Sequence, residues 1–561
     1  MSLCMLIHLI DSSQSFSLAQ LKGLYYYHFG YMGKKNTLVT TFLAVLILGV
    51  AVSLGYMGFR ALQPVRISLE LSEKAPLSAM AKVDTREESE VSLRIRGRDG
   101  KDLQVNFSGL SRRHEVPILG LYPDYKNEVE FKVRTGGGDV YTRSRTIPTE
   151  PLPSYYPDVK VERHMPDKIS PGMIFMHLGY YDEEGDFHPL PSAIDEYGRV
   201  RWYYKEEIGH VLERLENGNF LVERRNEAVG KGAFEGEGDE LIEIDLLGRT
   251  VRVRGEVQTG LHHDVALMPN GNILALSSAP DSYDDGVVEI DAETGEVVQG
   301  WDFREILDPD RPRQPLNLEE TDWLHLNGID YNPSDDSFVV SGRDQSAVVK
   351  VHRESGELQW ILGNHEHWPL SLQEYLLDPA GSKEAGSDDA SSESSFQWQW
   401  GQHAPSFHPE NPRRVLLYDN GNERSYENPL PPKDNYSRAV EYEVDPEAME
   451  VRQIWEFGRR YGSELFTPFI GDARYLPNGN RLICFGGITR SLEGEPMELF
   501  NFDNNEVHTM KISARIIETD SSMPAREVLS VYLEDPDPES YRGYRSYRAE
   551  KLPMYPESLV E

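Results

Sequence analysis

The feature that most constrains this chain is a repeated unit of strand, tight turn and strand. One half of the unit is a strand running into a polar turn. It reads HVLERLENGNFLV from His210, HDVALMPNGNILAL from His263, NGIDYNPSDDSFVV from Asn327, HAPSFHPENPRRVLLY from His403 and GDARYLPNGNRLICF from Gly471. A weaker copy, SARIIETDSSMPAREVLSVYL, begins at Ser513. The other half is a strand pair about a turn, as in AIDEYGRVRWYY, EIDLLGRTVRVRG, EIDAETGEVVQGW, KVHRESGELQWIL and EYEVDPEAMEVRQIW. Starting positions are spaced from 42 residues (Gly471 to Ser513) to 76 (Asn327 to His403). A unit of this size cannot bury its apolar face alone, whereas stacked neighbours can, and a closed ring leaves no strand edge open. The repeats predict an all-β chain whose main domain, residues 160–540, is a six-bladed β-propeller. The 46 Gly, 35 Pro and 29 Tyr among 561 residues suit many strands and many turns.

Ahead of the repeats, residues 64–150 alternate as VRISLEL, VSLRIRG, LQVNFSG, VPILGL, NEVEFKV and VYTRSRT. Short strands at this spacing predict a small β-sandwich domain, closed by the Pro-rich joint IPTEPLPSYYP. Residues 37–59, TLVTTFLAVLILGVAVSLGYMGF, are uncharged and apolar over the ~20 residues that a bilayer requires. Lys34 and Lys35 precede them, which leaves residues 1–36 in the cytoplasm and sends the remainder outward. Ala51-Val52-Ser53 offers a cleavage site; if it is used, the segment is a signal sequence and the product is secreted. The catalytic part is therefore expected outside the cytoplasm, anchored or released, and both Met1 and Met32 are compatible start codons. Residues 380–395, AGSKEAGSDDASSESS, read as a disordered acidic insertion between blades. Residues 541–561 show no pattern and read as a C-terminal tail.

Lys and Arg number 57 against 93 Asp and Glu, a net charge of −36. This excludes a general nucleic-acid-binding role and requires any anionic substrate to find a local basic pocket. The two cysteines, Cys4 and Cys484, lie on opposite sides of the apolar segment, so no disulfide is expected. Cys484 reads as a buried strand residue.

The repeat register also locates a site. In a propeller the first strand of each blade lines the central channel, so His210, His263, Asn327, His403, Gly471 and Ser513 should converge. Two-residue alternation adds His325 of DWLHLNGIDY to the same face. With only 16 His in 561 residues, three or four in one register point to function. Arg343, in VVSGRDQSAVVKV, follows on the next strand. Histidine, asparagine and arginine without clustered carboxylates suit an oxyanion such as sulfate or phosphate. They suit a metal less well, although Asp264 beside His263 leaves one open. Arg343 has a competing use as an ion-pair partner of Asp344 or Asp330. His210 reads as structural, and His365 and His367 of LGNHEHW as loop residues rather than a metal pair.

HHDVALMPNGN, DWLHLNGIDYNPSDDSFVVSGRDQSAVVKV and GQHAPSFHP resemble the active-site strands of the exported arylsulfate sulfotransferases of bacteria and archaea. VPILGLYPDYKNEVEF is similar to the core of that family's N-terminal domain, and the resemblance covers nearly all of the exported part. It implies a six-bladed propeller that uses no cofactor and no metal. It also implies an aryl sulfate donor, a phenolic acceptor and ping-pong transfer through a sulfohistidine. By the same resemblance His403 is the nucleophile, while His325, Arg343 and His263 act with it; the repeat register prefers His263 to His262 for the inward position. Asn327 would bind substrate. Two departures are the absence of the family's short disulfide and the Ala-Pro-Ser that follows His403. Trp323, Trp398, Trp400 and Phe407 could sandwich aryl rings, or at least two of them could be core. Two other functions compete: a quinoprotein dehydrogenase, suggested by DAETGEVVQGW and HRESGELQWIL but normally eight-bladed, and a non-catalytic ligand-binding propeller. Homodimerisation is left open.

Overall fold

The computed structural model describes residues 44–48, 50, 63–182, 185–224, 238–279, 282–313, 323–380, 396–498, 510–537 and 543–556. The chain divides into two units, Met1–Arg66 and Ile67–Glu561. In the first, residues 44–48 and 50 are helical. Among the described residues no helix is long and apolar enough to cross a membrane. Most of the apolar segment 37–59 lies outside the described residues, as do Cys4 and nearly all of the acidic insertion.

Strands Val65–Leu71, Ala79–Ile95, Leu103–Ile118, Tyr125–Thr135 and Val140–Thr149 form one five-stranded sheet. Its buried face follows the two-residue period: Val91, Leu93 and Ile95 on one strand, Val129, Phe131 and Val133 on its neighbour. The long strand Ala79–Ile95 slips register between Asp84 and Ser89, the kind of irregularity that bends a strand.

The repeats form five further sheets. The simplest contains Leu326–Asn332, Ser337–Gly342, Ala347–His352 and Leu358–Gly363, antiparallel throughout. The longest joins two repeats in seven strands through Thr250–Leu267. That 18-residue strand pairs first with Gly238–Ile244 and then with Ile273–Ala279. Its turns use Gly where the backbone must be left-handed, as at Gly271 (φ 88°) in MPNGN. Both faces of a sheet are buried, so adjacent residues enter different cores. Val340 packs with Leu276 and Trp301, whereas Val339 packs with Val415 and Tyr442.

The two ends of the repeat region exchange strands. Asp158–His164 pairs with Glu527–Glu534, and Gly543–Leu552 pairs with Met173–Tyr181. The stretch from 541, expected to be a tail, therefore supplies a strand to the first repeat. Its alternation escapes a hydropathy reading because two of its buried side chains are charged: Arg548 pairs with Asp264 and Lys551 with Glu518.

Candidate active site

Three first strands are irregular at the same end. Register slips between Leu261 and Val265, between Leu326 and Gly328, and between His403 and Ser406. Nearby, His263 (φ 54°), His325 (φ 52°) and Ala404 (φ 49°) take left-handed backbone conformations that L-residues rarely adopt. Such bulges re-aim side chains out of the ladder, and they cluster at functional sites.

The re-aimed histidines meet. The His263 ring lies 4.9 Å from His210, nearly parallel at 4°, and 4.9 Å from His325, edge-on at 73°. His263 Nδ1 is 2.8 Å from His262 Nδ1. The Tyr547 ring stands among His210 (5.5 Å), His263 (6.0 Å), His177 (6.2 Å) and His403 (6.3 Å). His263, His325 and His403 thus share one site. His210, read as structural from the sequence, stacks directly on His263.

Burial sets the charge state. It holds the His403 imidazole well below its usual range, and the Arg343 guanidinium pushes it further down. His263 is held down the same way, first by burial and then by His210 and His325. Both rings are therefore neutral near pH 7, with a lone pair on one nitrogen. His403 Nδ1 lies 2.7 Å from Asn420 Oδ1.

Arg343 makes the ion pair that its sequence neighbour allows, Nη1 to Asp344 Oδ1 at 3.2 Å, while its charge also acts on His403. Asn327 is fully buried and donates from Nδ2 to the Gln402 carbonyl at 3.0 Å, tying its strand to the one that carries His403. Its Oδ1 has no hydrogen-bond partner among the described residues. Asp264 is an anchor: it accepts from Arg548, from the Val265 amide (2.8 Å) and from the Ile329 amide (2.9 Å). Among the described residues no three or more His, Cys, Asp or Glu are grouped to hold a metal.

The aromatic candidates lie elsewhere. Trp323 and Phe407 belong to cores between sheets, Trp398 packs on one of those cores, and Trp400 contacts Tyr426. The apolar group that reaches the histidines contains Tyr181, Phe469, Ile470, Met510, Ile512 and Tyr547. His365 bonds the Leu377 carbonyl at 2.9 Å, and His367 meets Tyr426 edge-on, so the two serve separate contacts. Cys484 is buried in its strand. Sequence reasoning passed over His177, Asn420, Tyr547 and Arg548. Only His177 had a usable signal, a lone polar residue in the apolar run MIFMHLGYY.

A histidine-lined site on repeated antiparallel sheets, behind a small β domain, is the setting in which the comparisons fall. The arylsulfotransferase family profile matches residues 158–541, and the profile of the arylsulfotransferase Ig-like domain matches residues 67–150. The chain belongs to the arylsulfotransferase family and is a transferase. The arylsulfate sulfotransferase AssT of Escherichia coli O6:H1 is 25% identical over 554 residues, covering 81% of this chain and 90% of that protein. The arylsulfate sulfotransferase AssT of Lelliottia amnigena is 22% identical over 537 residues, covering 78% and 88%. Among solved structures, the periplasmic gluconolactonase of Pseudomonas aeruginosa aligns at 11% identity with a TM-score of 0.30, covering 83% of this chain and 97% of that one.

Proposed function

We propose that this protein moves a sulfuryl group from an aryl sulfate ester to a phenolic acceptor in two half-reactions, with His403 as the carrier. The observation that carries the reading is the neutral, buried His403 beside the positive charge of Arg343, in the same site as His263 and His325. A ring nitrogen of His403 attacks sulfur, the S–O bond to the aryl group breaks, and its electron pair leaves on the phenolate. A second phenol then attacks the N-sulfohistidine, and the pair of the N–S bond returns to the ring. Negative charge spreads over the sulfuryl oxygens in each transition state, where Arg343, His263 and His325 would stabilise it. Asn327 supports the site by holding the His403 strand. The apolar group around Tyr547 would take the aryl ring.

The same reading takes the five repeat sheets as six blades, with the seven-stranded sheet counting as two and the ends latched by exchanged strands. It places the enzyme outside the cytoplasm, exported through residues 37–59 as anchor or signal. Intact mass measurement after mixing with an aryl sulfate should show one added SO3, and a peptide map quenched in base should put it on His403. A label on His263 or His325, or wild-type turnover by His403→Ala, would overturn the assignment.

A further inference from the structure

We infer that Asn420 fixes the tautomer of His403, so that Nε2 is the attacking nitrogen and Nδ1 keeps its proton through the whole cycle. The inference rests on His403 carrying the sulfuryl group. Asn420 is fully buried just past the strand Asn411–Asp419. Its Nδ2 donates to two backbone carbonyls, Thr467 at 2.9 Å and Ile470 at 2.7 Å. The opposite amide orientation would set Oδ1 against both carbonyl oxygens, so the orientation is decided by its partners. The Ser437 hydroxyl donates to the Asn420 carbonyl at 2.6 Å and accepts from the Thr467 amide at 2.8 Å, which holds the frame.

Oδ1 therefore faces His403 Nδ1, and an amide oxygen only accepts. The hydrogen of a neutral His403 must then sit on Nδ1, which leaves the lone pair on Nε2. When Nε2 bonds to sulfur and the phenolate departs, the ring becomes cationic and the transferred group anionic. An amide oxygen is too weak a base to remove the Nδ1 proton. The ring stays cationic, and the N–S bond stays labile for the second phenol. A carboxylate in this place would hold the positive charge instead, as the aspartate of a Ser-His-Asp triad does for a general base. The other groups facing His403 are Arg343, His325, His263 and the Tyr547 phenol. Gly401 supplies the other acceptor near the ring, its backbone carbonyl.

The first test needs no substrate. Protein labelled with 15N-histidine, with His403 assigned by difference from His403→Ala, reports which ring nitrogen is protonated near neutral pH. A proton on Nδ1 is expected; a proton on Nε2, drawn there by the Gly401 carbonyl, overturns the inference. The second test is kinetic. Asn420→Asp should move the acid limb of the phenol burst upward by about one pH unit or more, and should lengthen the life of the sulfated enzyme in the absence of acceptor. An unchanged burst profile together with an unchanged lifetime counts against it. Asn420→Ala, which sets no carboxylate against the two carbonyls, covers a failure of the first variant to fold. It frees the ring to change tautomer and should slow the burst by about a hundredfold, against the roughly ten-thousandfold cost of a fully wrong tautomer. A wild-type burst in Asn420→Ala also overturns the inference. Should the label map to another histidine, the carrier reading fails, and the NMR result alone then decides the tautomer.

Discussion

His177 shows what burial does to a single titrating side chain beside Tyr547. Burial, then Arg545 and Arg548, hold it down at about 3, and its Nδ1 has no partner among the described residues. In the unfolded chain the same group titrates near 6.5. Between those values the unfolded state binds the extra proton, so stability is full above about pH 6.5 and falls as pH drops toward 3. At pH 5 the loss from this one residue is about 2 kcal/mol. Urea midpoints at pH 7 and pH 5 should therefore differ less in His177→Leu than in the wild type; equal differences would refute this. Arg343 is the other residue whose role a single change can decide. Under the proposed mechanism, Arg343→Lys keeps a charge for Asp344 but loses the planar fork offered to the sulfuryl oxygens, so turnover should fall about a hundredfold. Unchanged kinetics would return Arg343 to the ion pair alone.

At the scale of elements, the strand Gly543–Leu552 does more than complete a sheet. It carries Tyr547 into the histidines, with its hydroxyl donating to the Asn327 carbonyl at 3.2 Å. The next residue, Arg548, reaches Asp264 on the strand that holds His263, and also donates to the His263 carbonyl at 3.3 Å. One strand thus braces two others at the point where their register is broken. Removing the cation leaves a buried carboxylate without its counter-charge, a change that typically costs 3–5 kcal/mol. Arg548→Met should lower the melting temperature by several degrees or more, and the paired change Arg548→Met with Asp264→Asn should recover part of the loss. Differential scanning calorimetry reads both; a double variant no more stable than the single one would show that the ion pair is not the cause.

Across the whole molecule, 93 acidic residues against 57 basic ones set a field that repels a sulfate monoester. The attraction must therefore be local, and the pairing of charges shows how it is kept local. Arg548, Arg438 and Lys551 are engaged with Asp264, Asp419 and Glu518, so the buried cations largely cancel within the sheets. Arg343 pairs as well, yet its charge still acts on His403. The strands exchanged at the two ends pair the start of the repeat region with its end. That is why the site can be assembled from residues as far apart as His177 and Tyr547.

The strands and their turns were legible in the sequence because both are local: a two-residue period and a PNGN turn are complete within a dozen residues. The approach of His263, His325 and His403 was legible for a related reason, since equivalent positions in a repeat must occupy equivalent places. What lay outside that symmetry was decided by the tertiary structure alone. Asn327 and Tyr547 meet across 220 residues, and Asp264 and Arg548 across 284, with no repeat linking them. Arg548 and Lys551 look like solvent residues until their partners are known, because a buried charge is recognisable only by the opposite charge that satisfies it. Trp323 and Phe407 went into the cores because sheets stacked on both faces demand large apolar side chains, a demand that strand alternation does not reveal. Asn420, a turn residue by its sequence, is joined to His403 only by the folding of the strand between them back on itself.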